Sequence, residues 1–164
     1  MPVGRSDTDT VWERVYKPVM ESFDCDPVRM DLRDSGGLII PQIYTNISDA
    51  KFIISDLTYE RPNCYYETGY AIGLNKDQRL ILCCRADHDL HRPPRYEESP
   101  KIHFDLQSYG IIWWNIDELD KFKEELISKL SYREKYLPSP HRVDSRISLN
   151  IWKRLLRYFT KEGS

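Results

Sequence analysis

Three short apolar runs, Lys51–Asp56, Arg79–Cys84 and Ile111–Trp114, alternate with stretches whose apolar residues repeat at helical spacing. No other feature constrains the fold as much. Short buried strands joined by helices pack as a parallel sheet with helices laid on its faces. Before the first run, Val11, Trp12, Val15, Tyr16, Val19, Met20 and Phe23 form a stripe that predicts an amphipathic helix over 9–23. Asp7, Thr8 or Asp9 is its expected cap, and Pro18 should bend it. A short strand over Pro27–Met30 is expected next. Ser35-Gly36-Gly37 then breaks the chain, and Ile39, Ile40, Ile43 and Ile47 resume helical spacing.

The loop Leu57–Pro62 leads from the first run into a helix carrying Tyr65 to Gly73, with Asn63 as its expected N-cap. Asp117–Leu130 reads as another amphipathic helix, with Leu119, Phe122, Leu126, Ile127 and Leu130 on one side. The expected fold is therefore α/β: a flavodoxin-like, doubly wound parallel sheet of four to five strands with flanking helices. Its first strand should be short or missing, since only Met1–Ser6 precede the first helix; that strand lies upstream, has been cut away or is lacking. One α/β domain is expected over 1–131, a linker over 132–146 and a C-terminal helix over 147–164.

Composition narrows the function classes. A chain of 164 residues fits one domain. A net charge of −2 supplies no drive toward nucleic acid, and no run approaches the roughly 18–20 apolar residues of a membrane span. Cys25, Cys64, Cys83 and Cys84 lack the C-x-x-C spacing of metal or redox sites and read as reduced core residues of a cytoplasmic protein. No signal peptide opens the sequence, and no metal or cofactor is expected.

Ligands of open α/β sheets bind beyond the carboxyl ends of the strands. Asp56 closes one strand there, and Glu67 falls near the start of the next helix, where the dipole favours an ionised acid. Glu67 would be a competent carboxylate nucleophile or a stabiliser of developing positive charge; acids in such positions are also common for dipole and turn reasons alone. Thr68, Gly69, Ala71 and Gly73 are small, which would let this helix approach the sheet closely; the two glycines cost about 1 kcal/mol each against Ala, so a packing or ligand reason is expected for them.

Residues 47–58, Ile-Ser-Asp-Ala-Lys-Phe-Ile-Ile-Ser-Asp-Leu-Thr, and 63–71, Asn-Cys-Tyr-Tyr-Glu-Thr-Gly-Tyr-Ala, together resemble the nucleoside 2-deoxyribosyltransferase superfamily. There, a strand of the form A-D-x-ϕ-ϕ-A-D-L precedes a helix bearing E-x-G-Y-A. Met1-Pro2-Val3-Gly4 is similar to the opening turn of bacterial TIR-like relatives, and His103-Phe104-Asp105-Leu106 is similar to a segment before their last strand. The resemblance implies that Glu67 is the catalytic carboxylate at an anomeric carbon, with Asp56 holding sugar hydroxyls or assisting proton transfer. It implies that Gly4, Arg5 and Ser6 meet a phosphate and that Tyr65, Tyr66 or Phe104 stacks on a base. Asn63 and Asp105 complete the substrate-binding set. Cys64-Tyr65-Tyr66 stands where the transferases carry small residues, which favours the TIR-like relatives. The expected partner is a nucleotide or nucleoside and the expected assembly a homo-oligomer. The expected activity is cleavage or base exchange of the N-glycosidic bond of a nucleoside monophosphate or NAD; the alternative is a non-catalytic module that binds nucleotide or self-assembles in defence or signalling.

Elsewhere, Asp87-His88-Asp89-Leu90-His91 carries ligand-type residues but reads first as a solvated loop, and Arg85–Pro100 is long enough to be a lid. Trp113 and Trp114, at period two, read as structural. The basic residues of 132–146 read as a solvated linker, and Trp152, Tyr158 and Phe159 as core or a dimer face.

Overall fold

The computed structural model describes residues 4–29, 39–89, 102 and 104–136. In chain order the elements are α1 (Ser6–Val11), a π-helical stretch (Trp12–Tyr16), α2 (Lys17–Ser22), α3 (Ile39–Asp49), β1 (Ile53–Asp56), α4 (Pro62–Gly73), β2 (Leu80–Arg85), α5 (Phe104–Gln107), β3 (Ile112–Trp114) and α6 (Leu119–Tyr136). The three strands pair in parallel in the order β1-β2-β3, with Ile54 opposite Ile81 and Cys84 opposite Trp113. Helices cover both faces.

Side-chain alternation along the strands divides the core in two. Phe52 and Ile54, with Ile81, Cys83, Ile112 and Trp114, face α1, α2 and α6 and meet Val11, Val15, Tyr16, Phe122, Leu126 and Leu130. On the other face, Leu80, Leu82 and Cys84 pack with Leu57, Cys64 and Ile102, and Ala71 of α4 meets Ile43 and Ile47 of α3. Each fully buried aliphatic or aromatic side chain contributes about 1.5–3 kcal/mol, so these two layers carry the fold.

Several sequence expectations are corrected. Of the four to five strands expected, three, all parallel, lie among the described residues. Residues 25–29 form no ladder and no regular secondary structure, so Pro27–Arg29 is no strand of this sheet. The first helix starts at Ser6 with Arg5 as its cap residue, placing Asp7 and Asp9 inside the first turn, where the dipole favours them without a side-chain cap. Pro18 lacks an N–H and its ring crowds the carbonyl four residues back; the helix answers with the π-helical stretch just before it. Arg61, not Asn63, caps α4, because Pro62 takes the first helical position with its preset φ. The helix predicted to stop at Leu130 continues to Tyr136, so 132–136 belong to α6 and not to a linker. There, Arg133 donates to the carbonyls of Gln78 (2.8 Å) and Asp77 (3.2 Å), tying the helix end to the turn that opens β2.

Gly69 and Gly73 do not bring α4 close to the sheet. Both are exposed, and a Cβ on either would meet nothing within 4 Å. Thr68, another of the small residues expected to allow it, makes the approach: its hydroxyl lies 2.8 Å from that of Ser55 on β1 and donates back to the Cys64 carbonyl. No helix among the described residues is long and apolar enough to cross a membrane. The expected remainder of the linker over 137–146, the C-terminal helix and most of the expected lid lie outside the described residues.

Candidate functional site

A cavity of about 710 Å³ opens beside β1, on the side away from β2. One wall is the first helical layer (Trp12, Tyr16, Met20), another is α3 (Ile43, Asn46, Ile47), and residues 24–29 close the side facing β1. Near the start of α4, the lining includes Arg61, Asn63, Cys64 and Glu67. Glu67 is the sixth residue of α4 and so lies in its second turn, not its first. Because Thr68 pins the helix to β1, its neighbour Glu67 is turned toward the open edge of the sheet. No hydrogen bond or ion pair to the described residues holds the Glu67 carboxylate. Burial pushes its pKa above the ordinary carboxylate value. The result is a half-buried acid facing a cavity, held by helix backbone and free of a structural partner among the described residues.

Asp56 has a different setting. It is fully buried, and its carboxylate accepts from the Tyr16 hydroxyl at 2.7 Å, the Trp114 Nε1 at 3.1 Å and the Thr58 backbone N–H at 3.0 Å. Burial and the adjacent Asp56 keep the Tyr16 hydroxyl protonated, so it stays a donor. Asp56 is not among the described residues that line the cavity; it joins β1 to the first helical layer and to β3.

The remaining predicted residues scatter. Gly4, Arg5 and Ser6 are exposed at the start of α1, where Arg5 stacks over the Tyr59 ring at 5.2 Å. Tyr65 packs on the α4 side of the sheet, and its hydroxyl donates to Glu60 at 3.4 Å. Tyr66 is exposed and shares a 2.6 Å hydroxyl contact with Tyr44, whose ring lies 4.4 Å from that of Tyr70. Burial and the Tyr66 hydrogen bond push the Tyr44 pKa up to about 12. Phe104 and Asp105 begin α5, whose Leu106 packs on the same side as Tyr65. Of the residues read from sequence, Glu67 and Asn63 share the cavity.

Sequence reasoning missed a polar cluster at the carboxyl end of β2. Arg85 donates to both oxygens of Asp87, each at 2.8 Å, and its guanidinium also reaches Asp7 and the Tyr59 hydroxyl. Tyr59 in turn donates to Asp7 at 2.8 Å. Burial alone would lower the Arg85 pKa, but Asp87 and Tyr59 outweigh it and the net shift is upward. This cluster holds Tyr59 at φ 65°, a left-handed conformation that a non-glycine residue keeps only when its surroundings fix it. Asp87 and His88 are therefore buried parts of the strand exit, not solvated loop residues. Asp7 and Arg85 lie 78 positions apart, and no local pattern announces such a pair. Among the described residues no group of three or more His, Cys, Asp and Glu side chains converges as metal ligands would.

No family model, no curated protein and no solved structure matches the chain.

Proposed function

We propose that this protein breaks the N-glycosidic bond of a nucleotide, by hydrolysis or base exchange, with Glu67 as the catalytic carboxylate. The observation that carries the reading is Glu67 itself, a half-buried acid facing a cavity of about 710 Å³ and held by no described side chain. A cavity of that size accommodates a nucleoside monophosphate or one end of NAD. A carboxylate beside an electron-poor anomeric carbon stabilises the oxocarbenium-like transition state or attacks it. Asn63 and Arg61, from the start of the same helix, supply an amide and a cation to sugar hydroxyls and phosphate. On this reading the three strands belong to a flavodoxin-like doubly wound sheet, close in kind to the nucleoside 2-deoxyribosyltransferases and their TIR-like relatives. The four free cysteines, three of them buried, accord with a reducing cytoplasm.

A second reading is a non-catalytic module that binds nucleotide or assembles with its own copies. The Tyr44–Tyr66–Tyr70 cluster of α3 and α4, in which Tyr66 is exposed and the other two rings are half-buried, is the feature in its favour. One experiment separates the two. The chain is incubated with a panel of nucleoside monophosphates and NAD, and released base is followed by chromatography. The enzyme reading expects base release by the wild type and its loss, by 10³-fold or more, in Glu67→Gln with circular dichroism unchanged. No base release from any member of the panel overturns it.

A further inference from the structure

The walls of the cavity beside β1 are not equal. Tyr16, Met20, Ile43, Ile47 and Phe52 are buried side chains of packed helices and of the approach to β1. Residues 24–29 differ: none is buried, and none belongs to a helix or strand. The segment is tied at both ends. At its start the Cys25 N–H donates to the Met20 carbonyl at 3.2 Å and Lys51 donates to the Phe23 carbonyl at 3.1 Å. The Phe23 ring also meets that of Phe52 edge-on, at 6.2 Å. At the far end the Arg29 guanidinium pairs with Asp9 and lies 5.7 Å from the centre of the Trp12 ring. Between these ties, Asp26, Pro27 and Val28 make no hydrogen bond or ion pair to the described residues, and Val28 is exposed.

We infer that residues 24–29 are a strap across the cavity, hinged at Asp24 and clasped by the Asp9–Arg29 pair, and that this clasp controls entry. Asp24 turns the chain out of α2 at φ 55°, and such element-terminal residues are where swinging segments bend. Pro27 fixes its own φ and holds Asp26 extended, so the segment swings as one stiff arm. The two ties differ in kind. The start is held by main-chain bonds at a helix end and by an aromatic contact. The far end is charged, and the Asp9 side chain is 46% exposed, so dissolved ions screen it. Segments that bury little apolar surface open far more often than the core. The other cations lining the cavity take no part in the clasp: Lys51 pairs with Glu134, and Arg61 stands at the start of α4. Cys64 and Glu67 line the same cavity from α4, and Cys64 is only 5% exposed while the strap is closed. As a gate to a catalytic carboxylate the strap rests on the nucleotide reading; as a gate to the cavity it does not.

Thiol labelling of the intact chain tests the clasp without any nucleotide. Wild type, Arg29→Met and Asp9→Asn are exposed to excess N-ethylmaleimide, and peptide mass spectrometry follows Cys64 and the Cys83–Cys84 pair separately. Arg29→Met keeps the aliphatic stem over Trp12 and removes the charge. Cys83 and Cys84 are wholly buried in the sheet and report only on unfolding of the whole chain. Cys64 should label roughly fivefold faster or more in both variants, with Cys83–Cys84 unchanged. About 1 M NaCl should speed Cys64 in the wild type by more than it does in Arg29→Met, which has no clasp left to screen. The inference is overturned if Cys64 gains less than that in either variant, or gains only in step with Cys83–Cys84. It also falls if salt acts equally on wild type and Arg29→Met. Absence of base release in the nucleotide assay would leave the labelling result standing, so the two readings fail separately.

Discussion

Glu67 and Asp56 show how position along one sheet edge separates two carboxylates of similar sequence context. Asp56 ends a strand whose side chain turns inward, so three donors saturate it. Glu67 sits one residue before the threonine that pins α4, and turns to the cavity. Burial raises its pKa above the ordinary 4.5, and the sign of the linkage follows. A raised acid binds its proton more tightly when folded. Its favourable contribution is complete below the ordinary value and is lost as pH rises through the folded one. Glu67→Gln removes this titration. The urea midpoint of the variant, relative to wild type, should therefore rise between pH 4 and pH 7; a difference that is flat or falls over that range would refute the shift. On the enzyme reading the same titration sets the acid limb of activity, since the attacking form is the ionised one.

At the scale of elements, the three strands were legible because a buried parallel strand leaves a short apolar run bounded by breakers, and Phe52–Ile54, Leu80–Cys84 and Ile112–Trp114 are such runs. Helix bodies were legible from their stripes, but their ends were not. Pro62 at the first helical position displaced the expected Asn63 cap, and Arg133 anchors α6 on backbone carbonyls more than fifty positions away, which no local pattern encodes. The glycines of α4 misled for a related reason: a small residue signals close packing only if it faces the sheet, and Gly69 faces solvent. Since its backbone is helical and a Cβ meets nothing, Gly69→Ala should stabilise the protein by about 1 kcal/mol, seen as a higher urea midpoint with an unchanged slope. A lower midpoint would mean that this exposed face of α4 is covered by something in solution.

For the whole molecule, the candidate site was only half readable. Glu67 and Asn63 came from one helix and could be found together, whereas the cavity walls come from the first helical layer, α3 and residues 24–29, brought together by the fold alone. The same non-locality gives Asp56 a second consequence, in the order of folding events. Its carboxylate joins Tyr16 and Trp114, which are 40 and 58 positions away, so its bonds can close only after the first helices and the last strand have both docked. Contacts of that span carry a large loop-closure cost, so the expected outcome is that they form after the main barrier is crossed. Asp56→Ala orphans three buried donors at about 1–3 kcal/mol each. A loss of about 3 kcal/mol, the low end of that range, at about 1.4 kcal/mol per tenfold, should fall almost wholly on the unfolding arm. Stopped-flow chevrons should show unfolding faster by about 100-fold and refolding slowed less than tenfold; the reverse split would put this carboxylate in the folding nucleus. The Asp56 carboxylate thus works as a latch closed last, and the lifetime of the folded chain depends on it more than the speed of its assembly does.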